Sequence, residues 1–398
     1  MNQIAFQRQY RRLSWSYFGY FAVLALLVPY LGFYLDALGF SSREIGELIA
    51  ISTICRVIGP PLWAAVADRL GKLVPLIRFG VISSLVLLLL LAQVNSYLAV
   101  AALLGLVSLF WSAILPQLEV VTLASLGTES HRYSRIRMAG SVGFILVALI
   151  TAELLDLAGT ESFPILGAIL LLPLLFAVSR LDEPQRAYQD PNQPTPEGFW
   201  RRIRRRPFVM FILSTLLLQM SFAPFYAFFA LYLNQLGYAP IAVGALISLG
   251  VAAEVAMFFI AGRLVVQFTV RRLLMFCLAL TSLRWLALAN FADVLWWLIP
   301  IQLIHAFSFA LHHSAAMRYI HRYFPADQHS RGQAFYLSVG FAGGGALGAW
   351  LAGFLWQQGE GAEFTFTAAA IAALLGFIAA IFIRDRSKQA ARSVELQG

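Results

Sequence analysis

Residues 74–94 read Val-Pro-Leu-Ile-Arg-Phe-Gly-Val-Ile-Ser-Ser-Leu-Val-Leu-Leu-Leu-Leu-Leu-Ala-Gln-Val, with Arg78 the one charged side chain. A helix of about 20 residues rises roughly 30 Å, the thickness of a bilayer's hydrocarbon core. The apolar residues do not alternate with polar ones, which excludes the wall of a β-barrel. In lipid the backbone must satisfy its own hydrogen bonds, so the stretch reads as a spanning helix. Comparable runs fall near 15–35, 45–66, 97–122, 138–157 and 163–179, then near 208–232, 243–266, 273–291, 294–316, 333–356 and 364–383. Six and six make twelve.

Composition agrees. The 398 residues are 60% hydrophobic and 12% charged, against roughly 45–50% and 25% in soluble domains. The net charge of +9 lies in short segments between apolar runs, as orientation signals do, so no nucleic-acid partner is expected. Cys55 and Cys277 both fall inside apolar runs, which leaves neither a disulfide framework nor a metal cluster. The run 15–35 is span-length with no soluble domain after it, so a cleaved signal peptide is not expected.

The expected organisation is an amino-terminal half over 1–180, a linker over 181–207, a carboxy-terminal half over 208–384 and a tail over 385–398. The linker carries Pro184, Pro191, Pro194 and Pro196 and the basic run 201–206. Its end, 199–206, is expected to form an amphipathic helix at the membrane surface. Lys and Arg fall on one side: Arg8, Arg11 and Arg12; Arg69 and Lys72; Arg132, Arg135 and Arg137; the linker; Arg271 and Arg272; Arg318 and Arg322; and Arg384, Arg386, Lys388 and Arg392. The alternate loops hold essentially Arg43. Both termini are therefore expected in the cytoplasm, as an even number of spans also requires.

The halves repeat each other. Tyr34-Leu35-x-x-Leu38-Gly39-Phe40 corresponds to Tyr232-Leu233-x-x-Leu236-Gly237-Tyr238, and Gly46, Leu48 and Ile49 to Gly244, Leu246 and Ile247. Parallel six-helix repeats place a solute site at mid-membrane between them.

On these residues the chain resembles the major facilitator superfamily. After the second span, Ala64-x-x-x-Asp68-Arg69-x-Gly71-Lys72 is similar to the superfamily's Gly-x-x-x-Asp-Arg/Lys-x-Gly signature, with Ala64 in place of the first glycine. The corresponding stretch of the second half, around Gly262-Arg263, keeps little of it. The resemblance narrows to the phenylpropionate permease branch, related to the oligosaccharide–proton symporters. It is carried by Tyr133-x-Arg135-x-Arg137-x-x-Gly140-Ser141-Val142-Gly143, Ala253-Glu254-Val255, Arg284-Trp285 and Ala315-Ala316-Met317-Arg318-Tyr319-Ile320. It implies an all-α fold of twelve spans and a cytoplasmic gate at Asp68, Arg69, Gly71 and Lys72, with Arg135 and Arg137 expected to act as gate or topology residues. It also implies a cavity lined by spans one, four, seven and ten.

Ionisable side chains at membrane depth are costly unless paired or facing a cavity, so each marks a candidate site. Arg56 lies on the second span, Trp111 and Glu119 on the fourth, Glu254 on the eighth and Arg284 on the ninth. Gln302, His305, Phe309, His312 and His313 share one face of the tenth at helical spacing, and Gln219, Phe222, Tyr226 and Phe229 one face of the seventh. Arg56, Trp111, Glu119, Gln219, Phe222, Tyr226, Gln302 and His305 are the expected substrate-binding set. Symporters of the lactose permease type use carboxylates on spans four and eight, an arginine on nine and a histidine on ten. That resemblance implies proton coupling through Glu254, Arg284 and His305 or His312, although their glutamate on span ten has no counterpart here. Glu254–Arg284 also admits a reading as a static pair between helices, Arg56 one as a helix contact, and His313 reads first as a packing residue.

The expected function is proton-coupled import of a small organic solute, best an aromatic carboxylate like phenylpropionate, by a monomer in a bacterial inner membrane. The proton gradient serves as energy source and no cofactor is expected. A sugar or nucleoside symporter and a drug exporter are the alternatives within transport. Outside it, an enzyme lacks a His-Glu-x-x-His or a serine elbow, and a sensor lacks room for an output domain. The glycines at 340, 343, 344, 345, 348 and 353 read as helix packing and motion, not a phosphate loop, since no strand precedes them.

Overall fold

The computed structural model describes residues 3–184, 198–325 and 328–383. Pro191, Pro194 and Pro196 of the linker lie outside the described residues, as do Arg384, Arg386, Lys388, Arg392 and the rest of the tail. The described residues are helical throughout, with no strand. Among the described residues eleven helices are long and apolar enough to span, and a twelfth forms when a bent pair is taken as one.

The bent pair is α1, Gln3–Leu27 continued by Leu31–Ala37 after a turn of 43°. Pro29 causes the turn, because its ring removes a donor and collides with the preceding carbonyl. The others are α2 (Ser42–Leu70), α3 (Val74–Leu91), α4 (Tyr97–Leu126), α5 (Tyr133–Ala158), α6 (Thr160–Ser179), α7 (Arg206–Gln235), α8 (Pro240–Gln267), α9 (Val270–Phe291), α10 (Leu295–Tyr323), α11 (His329–Gly359) and α12 (Ala362–Ile381). Each expected span falls largely within one of them.

The repeated motif has one conformation in both halves. Gly39 and Gly237 sit at φ 82° and 80°, where any side chain would be strained. Each closes its helix the same way: Phe40 N–H donates to Leu35 C=O (3.3 Å), and Tyr238 N–H to Leu233 C=O (3.0 Å). The Leu-Gly-aromatic pattern is thus a helix stop used twice.

Two compact units hold the chain. One comprises residues up to 184 with 225–248 and 349–359; the other comprises 198–224, 249–348 and 360–383. In the first, Gly46 and Gly353 let α2 and α11 touch backbone to backbone, and Ser248 Oγ donates to Ile145 C=O (3.0 Å). In the second, Trp285 Nε1 donates to Ser221 Oγ (3.0 Å), and Ser282 Oγ to Ala370 C=O (2.9 Å).

The helix expected over 199–206 is shorter. It ends at Ile203, and Phe199 and Ile203 are buried against protein. Phe199 stacks on Phe324 at 5.4 Å, and Tyr323 Oη donates to Arg202 C=O (2.8 Å). Phe199 has thus found an aromatic partner on the chain itself, while Trp200 stays exposed.

Candidate functional site

Arg284 of α9 is fully buried and well partnered. Its Nε donates to Ile301 C=O (2.9 Å), one terminal nitrogen meets His305 Nδ1 (3.2 Å), and the other donates to Gln302 Oε1 (3.3 Å). The guanidinium also lies 4.3 Å from the Trp285 ring and 5.4 Å from Phe222. A guanidinium has no acceptor, so Nδ1 of a neutral His305 must be the bare nitrogen and Nε2 carries the hydrogen. Nε2 faces Glu254 Oε2 on α8 at 3.6 Å. Glu254, His305 and Arg284 therefore form a row, with the imidazole shared between carboxylate and guanidinium. Gly250, one turn before Glu254, leaves room for it: a Cβ there would stand 3.2 Å from Gln302 Oε1.

The face expected on α10 is interrupted by a break in its regular helix. Residues Phe307–Leu311 form a π-helical turn, and its extra residue rotates everything beyond it relative to His305. His305 keeps its place against Phe222 and Phe309, both 5.7 Å away. His312 is buried, and its Nε2 meets no hydrogen-bond partner among the described residues. His313 meets Tyr336 Oη at 3.3 Å and lies within electrostatic range of Glu254. On α7, Phe222 packs edge-on to Trp285 at 5.1 Å, Gln219 lies against Gly344, and Tyr226 comes within electrostatic range of Arg56.

A second group stands in the amino-terminal unit. Tyr133 Oη donates to Glu119 Oε1 (3.3 Å), and the Tyr17 ring meets the Tyr133 ring edge-on at 6.4 Å. Arg137 lies within electrostatic range of Glu119 and 3.9 Å over the Phe21 ring. Trp111 stacks on Tyr20 at 4.4 Å and 13°. Its place follows from a break in α4 at Ser112–Ala113, where Pro116 cannot donate to the carbonyl four residues back. Leu109 C=O, beside the break, accepts Trp63 Nε1 (2.7 Å) and Ser112 Oγ (2.6 Å) instead. Arg56 donates to Thr53 Oγ1 on its own helix (3.2 Å).

At the loop after α2, Gly71 caps the helix and Asp68, Arg69, Lys72 and Arg135 are exposed. Sequence reading missed the groups that order this end. Glu183 accepts from the Leu73 and Val74 N–H groups at 2.7 and 2.8 Å, capping α3. Arg78 donates to the carbonyls of Val178, Ser179 and Leu181 at the end of α6, and Arg12 pairs with Asp182 at 2.9 Å. An arginine one turn inside the long apolar run 74–94 was the available signal. Tyr20 carried none, since aromatic residues make up 14% of the chain.

The model of the MFS_1 like family matches residues 10–368. A probable 3-phenylpropionic acid transporter of Escherichia coli (strain K12) is 29% identical over 376 residues, covering 92% of this chain and 96% of that one. A maltose permease of Geobacillus stearothermophilus is 27% identical over 384 residues, 94% of each. The crystal structure of the nucleoside transporter NupG superposes with a TM-score of 0.83 at 17% identity, covering 96% of this chain and 99% of that one. The last likeness speaks for the fold alone.

Proposed function

The chain belongs to the MFS_1 like family, and we propose that it is a proton-coupled importer of a small aromatic carboxylate of the phenylpropionate type. It is a multi-pass membrane transporter whose named relatives carry small solutes. The observation that carries proton coupling is the row Glu254–His305–Arg284. Protonation of Glu254 removes the charge that attracts His305 Nε2–H, so one proton decides whether α8 is held to α10. A transporter whose helices are tied or freed in this way can require the proton for its return step. The substrate class is supported by the 3-phenylpropionic acid relative and by aromatic rings beside Arg56 and Arg284. The protein would act as a monomer in a bacterial inner membrane with both termini in the cytoplasm, as its Lys and Arg placement supports.

Uptake of labelled 3-phenylpropionate into proteoliposomes tests this. An inward proton gradient should drive accumulation, and a protonophore should abolish it. Uptake that merely equilibrates and ignores the protonophore would overturn coupling. A sugar or nucleoside remains the second reading, favoured by the maltose permease relative, and maltose and uridine belong in the same assay.

A further inference from the structure

Two donor-only groups of the amino-terminal unit have no charged acceptor among the hydrogen bonds and ion pairs of the described residues. Trp111 is 3% exposed, and its Nε1–H has no hydrogen-bond partner among the described residues. Arg56, at mid-span on α2, has one described hydrogen bond, to the neutral Thr53 Oγ1, and no described ion pair. Tyr20 ties them together: its ring stacks on Trp111, and its hydroxyl lies within interaction range of both Trp111 Nε1 and Arg56. Tyr226 brings a second hydroxyl within range of the guanidinium. Glu119, the acid on α4, accepts instead from Tyr133.

A guanidinium at mid-membrane without a counter-charge costs several kcal/mol, and a buried orphan N–H adds to that cost. The missing partner must accept several hydrogen bonds and carry negative charge. A carboxylate is acceptor-only and does both. A sugar hydroxyl also brings a proton that needs an acceptor, and neither Arg56 nor the indole offers one. The Tyr20 and Tyr226 hydroxyls, which could accept it, leave the guanidinium without a counter-charge.

We infer that Arg56 and the Trp111 indole N–H, bordered by the Tyr20 hydroxyl, form a cradle for a carboxylate, and that this cradle, resting on the reading of the substrate as an organic acid, selects acids over neutral solutes. The indole contributes a directed bond as well as a stacking surface, which separates its role from that of any other aromatic ring.

The test is binding to the purified full-length protein of 3-phenylpropionate, its neutral counterpart 3-phenylpropan-1-ol, and hexanoate. The wild type should prefer the acids over the alcohol by at least about tenfold. Trp111→Phe keeps the ring but loses the donor, and should weaken both acids about five- to tenfold while leaving the alcohol within twofold. Arg56→Gln should erase the preference, and Arg56→Lys, which keeps the charge, should restore part of it. An unchanged unliganded melting temperature shows that each variant is folded. Wild-type acid affinity in Trp111→Phe, or preference retained in Arg56→Gln, overturns the cradle even where 3-phenylpropionate proves to be the substrate. Hexanoate binding that depends on Arg56, without 3-phenylpropionate binding, keeps the cradle and discards the aromatic ring. No carboxylate binding at all discards the cradle.

Discussion

Because a guanidinium only donates, Arg284 dictates which nitrogen of His305 is bare and which faces Glu254. Glu254→Gln keeps an acceptor for Nε2–H but takes up no proton. It should abolish uphill accumulation while sparing exchange of labelled for unlabelled substrate; full accumulation in that variant would remove Glu254 from coupling. Arg284→Met leaves Gln302 Oε1 and Ile301 C=O buried without their donor, so unfolding in detergent should show a loss of about 2–4 kcal/mol. Glu254, Arg284 and His305 were legible in the sequence because charge inside an apolar run is conspicuous. That the histidine would stand between the other two was not, since three helices had to be brought together first.

Helices here are shaped where their hydrogen-bond ladder is interrupted. Pro29 bends α1 and Pro116 breaks α4, and both were readable as prolines. The π turns at 307–311 and 336–342 carry no proline and had no sequence signal. They arise from packing, and a regular-helix projection does not contain them. Glycine spacing on α11 was readable, and its use is close approach: a Cβ at Gly344 or Gly348 would collide with the carbonyl of Leu216 or Met220 on α7. Gly348→Leu should therefore cost about 1–3 kcal/mol or more, seen as a lowered melting temperature. At the far end of α11, Gln357 and Gln358 hold φ of 48° and 57°, costing roughly 1–2 kcal/mol each. Gln358 N–H donates to Ser42 Oγ at 2.8 Å, and that hydroxyl bonds the Gln358 side chain in return. Ser42→Ala removes both bonds and should lower apparent stability by about 1–2 kcal/mol in the same melting assay.

At the scale of the whole chain, orientation rests on charge asymmetry. Arg43 is nearly alone on the face opposite the amino terminus, while Arg12, Arg69, Lys72, Arg78, Arg135 and Arg137 share the other. A reporter fused after Gly398 should read as cytoplasmic, and a periplasmic signal would overturn the count of twelve. Asp68→Asn at the loop after α2 should slow the transport cycle without changing substrate affinity; wild-type turnover would remove that loop from gating.

Hydropathy and period determined the class of fold, the number of spans, the twofold repeat and the ionisable residues worth watching. Those properties are local: a bilayer tests each 20-residue window for apolarity, and a helix stop such as Leu-Gly-aromatic works wherever it stands. Partnership is not local. Which donor Glu254 meets, that the indole of Trp111 has no hydrogen-bond partner among the described residues, and that Glu183 caps α3 from 110 residues away depend on helix rotation and depth. Those are settled by side-chain packing between helices, where a single extra residue in a π turn moves every later group to another face. Only the tertiary structure could decide them.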